Sequence, residues 1–219
     1  MLSGKENSPD YLRVYAITDR TIFPEGKFLN GVESALKGGV RAIQLREKDL
    51  PSASLLKLAR EVRSLTKKYQ ARLFINDRVD VSLMADADGV HLTENSISVD
   101  DVKSRFPQLC VGVSTHSFES AKKAENRGAD FITFSPIFYT PSKRQYGQPQ
   151  GLDKLKEVVE GIGIPVLALG GIKRKNIASV QEAGVYGIAL ISGIWKAQDI
   201  ADESYQYLRY FLGDSHERT

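Results

Sequence analysis

A single cysteine, Cys110, in 219 residues excludes an intrachain disulfide and any fold stapled by bridges. It points to a reducing compartment, so a cytoplasmic location is expected. No apolar run approaches the ~18 residues of a membrane span. The charged opening, with Lys5, Glu6 and Asp10, offers no apolar stretch for a signal peptide. Neither sign of charge dominates: 30 basic against 27 acidic residues leave a net charge of +3. The concentrated basic face of a nucleic-acid binder is missing. The densest basic runs, Lys122-Lys123 and Lys173-Arg174-Lys175, fall in helical patterns and read as solvated faces, with at most a few local cations beside a pocket for a phosphorylated small ligand. Linkers, low-complexity tracts and composition shifts are missing too. The sequence therefore predicts one globular domain over residues 1–219, with tails at 1–12 and 213–219 and no nucleic-acid or membrane partner. It leaves the oligomeric state open, a homo-oligomer included.

Apolar runs of strand length alternate with amphipathic helical patterns along the whole chain. The candidate strands are Arg13–Thr18, Arg41–Leu45, Arg72–Asn76, Gly89–Leu92, Leu109–Val113, Phe131–Phe134, Pro165–Leu169 and Gly187–Ser192. Between them, Leu55, Leu56, Ala59, Val62 and Leu65 recur at helical spacing, as do Val99, Val102 and Phe106. Several helices close on a glycine: Gly38, Gly128 and Gly184. Eight strand-then-helix units of about 25 residues each predict a single-domain (β/α)8 TIM barrel. The strands are continuously apolar, as expected of a parallel sheet buried on both faces. A doubly wound open sheet is the alternative, but Thr18-Asp19-Arg20 stands where its glycine fingerprint belongs.

In such a barrel the chemistry sits at the C-terminal strand ends, and polar residues gather there. Strand two carries Gln44, Arg46 and Lys48 on one side by alternation; strand three ends in Asn76-Asp77, strand four carries His91, and strand five leads into Ser114, His116 and Ser117. A long loop from 135 to 150 follows strand six, with Thr140-Pro141-Ser142-Lys143 near its start. Gly170-Gly171 and Ser192-Gly193 close strands seven and eight, where barrels commonly hold phosphate on backbone N–H groups. Arg46, Lys48 and Lys143 offer charge to a second anionic group. Asp77 is a hard-oxygen donor suited to Mg²⁺ on a pyrophosphate.

Plainer readings exist for several of these. Asp77 and Ser117 suit helix caps, Arg46 suits an ion pair with Glu47 or Asp49, and His91 suits a buried structural role. Trp195 and the stripe Tyr205, Tyr207, Tyr210 and Phe211 suit packing of the last helix. Cys110, inside a strand, reads as a buried small hydrophobe.

Taken together, Tyr15–Arg20 (YAITDR), Gln44–Asp49 (QLREKD), Phe74–Val81 (FINDRVDV), Asp88–Leu92 (DGVHL), Gly112–Ser117 (GVSTHS), Ser135–Lys143 (SPIFYTPSK), Ala168–Ile172 (ALGGI) and Ile191–Ile194 (ISGI) resemble the thiamine phosphate synthase / thiazole tautomerase superfamily. The resemblance implies an enzyme of thiamine biosynthesis. Such a synthase couples a pyrimidine methyl diphosphate to a thiazole phosphate, giving thiamine phosphate and pyrophosphate. It implies that Gln44, Arg46, Lys48, Asn76, Ser114 and Lys143 hold the pyrimidine diphosphate, with Lys143, Ser114 and His116 closest to the chemistry. Thr140, Pro141, Ser142, Gly170, Gly171, Ile191 and Ser192 would hold the thiazole phosphate, and Asp77 would bind Mg²⁺. One departure stands out: Ser96 occupies the place of the synthases' second metal-binding aspartate, with Glu94 and Asn95 beside it as candidate replacements. The run from Thr93 is closer to the tautomerase branch, which isomerises a thiazole carboxylate phosphate and would use His116 as acid and base. A barrel that binds the thiazole phosphate without turnover is the third reading.

Overall fold

The computed structural model describes residues 10–140 and 148–212. Eight parallel strands close into one barrel in sequence order, with β1 paired to both β2 and β8. They are β1 Val14–Ile17, β2 Ala42–Leu45, β3 Arg72–Asn76, β4 Gly89–Leu92, β5 Cys110–Thr115, β6 Phe131–Phe134, β7 Val166–Leu169 and β8 Gly187–Leu190. The helices are α1 Phe28–Lys37, α2 Ser52–Lys68, α3 Val79–Met84, α4 Val99–Arg105, α5 Phe118–Asn126, α6 Gly151–Gly161, α7 Ile177–Glu182, α8 Ser192–Trp195 and α9 Ile200–Leu212. The predicted (β/α)8 barrel is therefore the observed fold.

Because strand side chains alternate, each strand feeds two cores. One set, including Val14, Ile43, Leu73, Val90 and Val111, meets the apolar stripes of the surrounding helices. The other set fills the barrel: Tyr15, Phe74 and Phe131 form a triangle with ring centroids 5.4 Å apart and planes at 79–80°. Such edge-on pairs place positive ring edges against negative faces. Residues 10–12, read from sequence as tail, instead form a 3-10 turn under the barrel's N-terminal face. There Leu12 is buried and Tyr11 stacks on Phe74. The Cys110 thiol lies beside Tyr11, and burial pushes its pKa up to about 12, so the small-hydrophobe reading suits it.

Strand ends differ from the sequence expectation where pairing or turning takes over. β5 runs on through Ser114 and Thr115, which pair with Thr133 and Phe134. β8 stops at Leu190, because Ser192 already opens the short helix α8. Trp195, at the end of α8, donates its indole N–H to the Ile17 carbonyl at 2.6 Å and fixes this helix on β1. Tyr207 is buried as expected of the last helix, whereas Tyr210 is exposed. After α1 the left-handed turn falls at Gly39 rather than Gly38.

Candidate active site

At the ends of β1 and β2 the site is braced by a buried carboxylate. Just past the end of β2, Glu47 is buried between the half-buried Arg46 and the exposed Lys48, and its side chain is 2% exposed. Thr18 Oγ1 donates to Glu47 Oε1 at 2.6 Å, and the Arg20 backbone N–H donates to both carboxylate oxygens at 3.2 and 3.1 Å. The Thr18 hydroxyl oxygen in turn accepts the Arg46 backbone N–H at 2.9 Å. Burial pushes the Glu47 carboxyl above the usual range, and these donors pull it part of the way back. Arg20 holds Asp49 through two bonds of 2.9 and 2.6 Å. The local ion pairs considered for Arg46 thus belong to Arg20. Arg46 and Lys48 make no ion pair among the described residues and stand at the mouth.

β3 delivers Asn76 and Asp77. Asp77 has a left-handed backbone (φ 63°), and its N–H donates to the His91 carbonyl at 2.9 Å. It does not cap α3, whose cap position is Arg78. Its carboxylate accepts a short hydrogen bond from the Ser96 hydroxyl, and Ser96 Oγ itself accepts the Thr93 N–H at 2.7 Å. The turn from Thr93 to Ser96 therefore places Ser96 on Asp77; neither Glu94 nor Asn95 takes that place.

β5 delivers Ser114, whose hydroxyl lies 3.1 Å from His91 Nε2 inside the barrel. His116 follows just beyond β5, with Nδ1 2.7 Å from the Ser135 carbonyl. A carbonyl only accepts, so Nδ1 carries the hydrogen and Nε2 is the basic nitrogen of the neutral ring. Ser117 caps α5 by accepting the Ser120 N–H at 3.1 Å, as its plainer reading held.

On the opposite side, at β7 and β8, a cavity of about 880 Å³ opens. Thr140, Gly170, Gly171, Ile191 and Ser192 all line it, so five of the expected thiazole-phosphate residues meet there. Gly170 and Gly171 have φ of 104° and 69°, and a Cβ on Gly171 would lie 2.7 Å from Phe138 Cβ. Only glycine makes this turn without strain. Among the described residues, the N–H groups of Gly171, Ser192 and Gly193 donate to no backbone carbonyl. Lys173, Arg174 and Lys175, read from sequence as a solvated face, line this same cavity together with Lys196. Arg174 is held by Glu203 at 2.9 Å. The cavity wall does not include Gln44, Arg46, Lys48, Asn76, Asp77, Ser114 or His116, which surround the mouth from β2, β3 and β5. Pro141, Ser142 and Lys143 lie outside the described residues.

Eight parallel strands closed in sequence order, with polar residues and a double-glycine turn at their C-terminal ends, define a TIM barrel of the class that carries its sites at that face. The chain belongs to the thiamine monophosphate synthase family, whose model matches residues 14–194. It is 56% identical to the "Putative thiamine-phosphate synthase 2" of Aquifex aeolicus over 82% of this chain and 96% of that one. It is 40% identical to the thiamine-phosphate synthase of Pyrococcus furiosus over 89% of this chain and 92% of that one. A solved structure of thiamine phosphate pyrophosphorylase from Pyrococcus furiosus matches with a TM-score of 0.85 at 37% identity, covering 93% of this chain and 98% of that one. The resemblance carried by the sequence motifs is thus borne out for family and fold. No helix among the described residues is long and apolar enough to cross a membrane.

Proposed function

We propose that this protein is a transferase that couples a pyrimidine methyl diphosphate to a thiazole phosphate, releasing pyrophosphate and forming thiamine phosphate. The observation that supports the reading is two separate groups of candidate anion donors at the C-terminal strand ends. Arg46 and Lys48, presented around the buried Glu47, suit the diphosphate; the Gly170-Gly171 and Ser192-Gly193 turns suit the thiazole phosphate. Gln44, Asn76 and Ser114 hold the pyrimidine, and Thr140 and Ile191 flank the thiazole. Pro141, Ser142 and Lys143 keep the roles that the resemblance implies. In the reaction the bond between methylene carbon and diphosphate oxygen breaks, and pyrophosphate leaves with the electron pair. The thiazole nitrogen lone pair then forms the new C–N bond to the methylene carbon. The protein's part is to hold the two partners in line, stabilise the leaving charge and keep water away from the cationic methylene.

Mg²⁺ would be held here by Asp77, a hard-oxygen donor suited to that ion. Asp77 supplies one carboxylate, one oxygen of which accepts from Ser96, and no group of three His, Cys, Asp or Glu stands together among the described residues. When bound, the ion offsets charge on the departing diphosphate.

The synthase names of the relatives favour coupling over isomerisation through His116. The test mixes purified protein, both substrates and Mg²⁺, and quantifies thiamine phosphate by the fluorescence of its oxidised product. Product that disappears with a chelator and in Asp77→Ala is expected. No product, with a thiazole carboxylate phosphate isomerised instead, would overturn the proposal.

A further inference from the structure

Tyr15, Gln44, His91 and Ser114 come from four strands and meet inside the barrel. Gln44 Nε2 donates to the Tyr15 hydroxyl at 3.2 Å, and the same hydroxyl lies 3.3 Å from His91 Nδ1. Across the ring, His91 Nε2 lies 3.1 Å from Ser114 Oγ and 3.4 Å from Thr133 Oγ1. Tyr15 and His91 are 0% and 1% exposed, so water does not satisfy them. Room for the imidazole comes from Gly112, where a Cβ would lie 2.7 Å from Nδ1 and 2.3 Å from Phe131 Cζ.

This chain of bonds has a direction. The Tyr15 oxygen accepts from the Gln44 amide, so its own hydrogen goes to His91 Nδ1. Burial keeps this phenol protonated, far above its ordinary value. Nδ1 then carries no hydrogen, and the ring's N–H is at Nε2, aimed at the hydroxyl oxygens of Ser114 and Thr133. Two consequences face the mouth. Ser114 accepts from the ring and keeps its own hydrogen to donate. Gln44 gives one of its two amide hydrogens to Tyr15, which fixes the orientation of the amide, and its Oε1 accepts from no described residue and is left to a ligand.

We propose that Tyr15 and His91 are positioning residues whose relay fixes Gln44 as an acceptor and Ser114 as a donor, and that this pattern selects an aminopyrimidine over its oxo counterpart. An amino group beside a ring nitrogen offers an N–H donor and a lone pair, which match the two protein groups. The oxo form offers a carbonyl and a ring N–H, the reverse pattern, and leaves both protein groups mismatched. The selection rests on the coupling reading, in which Gln44 and Ser114 touch the pyrimidine; the direction of the relay does not.

The relay is read in the full-length protein without substrate, by ¹⁵N NMR of labelled histidine. The expected result is His91 with hydrogen at Nε2 and a hydrogen-bonded lone pair at Nδ1. Hydrogen at Nδ1 would overturn the proposal. Selection is read by calorimetry with the aminopyrimidine methyl diphosphate and its oxo analogue. Wild type should prefer the amino form by about 100-fold or more. Tyr15→Phe should cut that preference about tenfold while thiazole phosphate affinity, which reports an intact barrel, stays unchanged. Ser114→Ala should lower the preference with the His91 tautomer unchanged. Full discrimination retained in Tyr15→Phe would overturn the proposal while leaving the coupling reading standing. Binding of neither pyrimidine by wild type would overturn the coupling reading and the selection together, with the tautomer still deciding the relay.

Discussion

On the β1–β2 side of the mouth, charge is delivered by long side chains steadied from below. Glu47 gathers Thr18 and the Arg20 backbone, and Thr18 takes the Arg46 N–H. On the β7–β8 side, the candidate anion seat is backbone. Gly170 and Gly171 adopt left-handed conformations, and the loop after β6 packs against them, with Phe138 N–H donating to the Gly170 carbonyl at 3.0 Å. The first construction suits a diphosphate, whose several oxygens match guanidinium and ammonium donors. The second suits one phosphate approached closely by N–H groups. The two halves should therefore fail in different ways: one when a side chain is removed, the other when an atom is added.

The largest separation is expected from Gly171→Ala. The added Cβ meets Phe138 at 2.7 Å in a backbone that disfavours any side chain. Strain of about 1–3 kcal/mol at such a position corresponds to a roughly 10- to 100-fold loss of thiazole phosphate affinity. Diphosphate affinity, measured in the same protein by calorimetry, should not change. Arg46→Ala should give the opposite pattern, with diphosphate binding weakened about 10-fold or more and thiazole phosphate binding unchanged. Arg46→Lys should restore only part of it, because an ammonium does not reproduce a two-pronged contact. The last effect concerns the brace itself and is read in stability rather than in binding. Glu47→Ala leaves the Thr18 hydroxyl and Arg20 N–H without their acceptor and should cost about 1–3 kcal/mol in urea unfolding. Because burial raises the Glu47 pKa, the folded state binds more protons than the unfolded state. Its contribution to stability should accordingly fall as pH rises from about 4.3, the ordinary glutamate value, through the raised one. Glu47→Gln should flatten that slope, which unfolding measured across this window will show.

Much of the barrel was legible because a buried parallel strand is apolar throughout. β3, β4 and β6 coincide with the predicted runs residue for residue. Prediction faltered at ends, where Ser114 and Thr115 extend β5 by pairing and Ser192 turns into α8. In the site, the glycine pairs and Thr140 were legible because a tight turn at a strand end narrows the choice of residue. Glu47 was passed over as a local ion-pair partner. Its burial left no periodic signal, because it lies past the end of β2, where the chain no longer alternates, and its donors Thr18 and Arg20 come from the end of β1. The Tyr15–His91 relay left no trace either, because its bonded partners lie 23 to 76 residues apart in sequence. Lys173 and Lys175 looked like a solvated face because helical patterning does not record which turn opens onto a cavity.

Calorimetric titration of each substrate singly into wild type, Arg46→Ala and Gly171→Ala tests the two-seat account most directly. A crossed result is expected: Arg46→Ala loses only the pyrimidine diphosphate, and Gly171→Ala loses only the thiazole phosphate. Parallel losses of both ligands in both variants would contradict it, because a single shared anion site would then serve both.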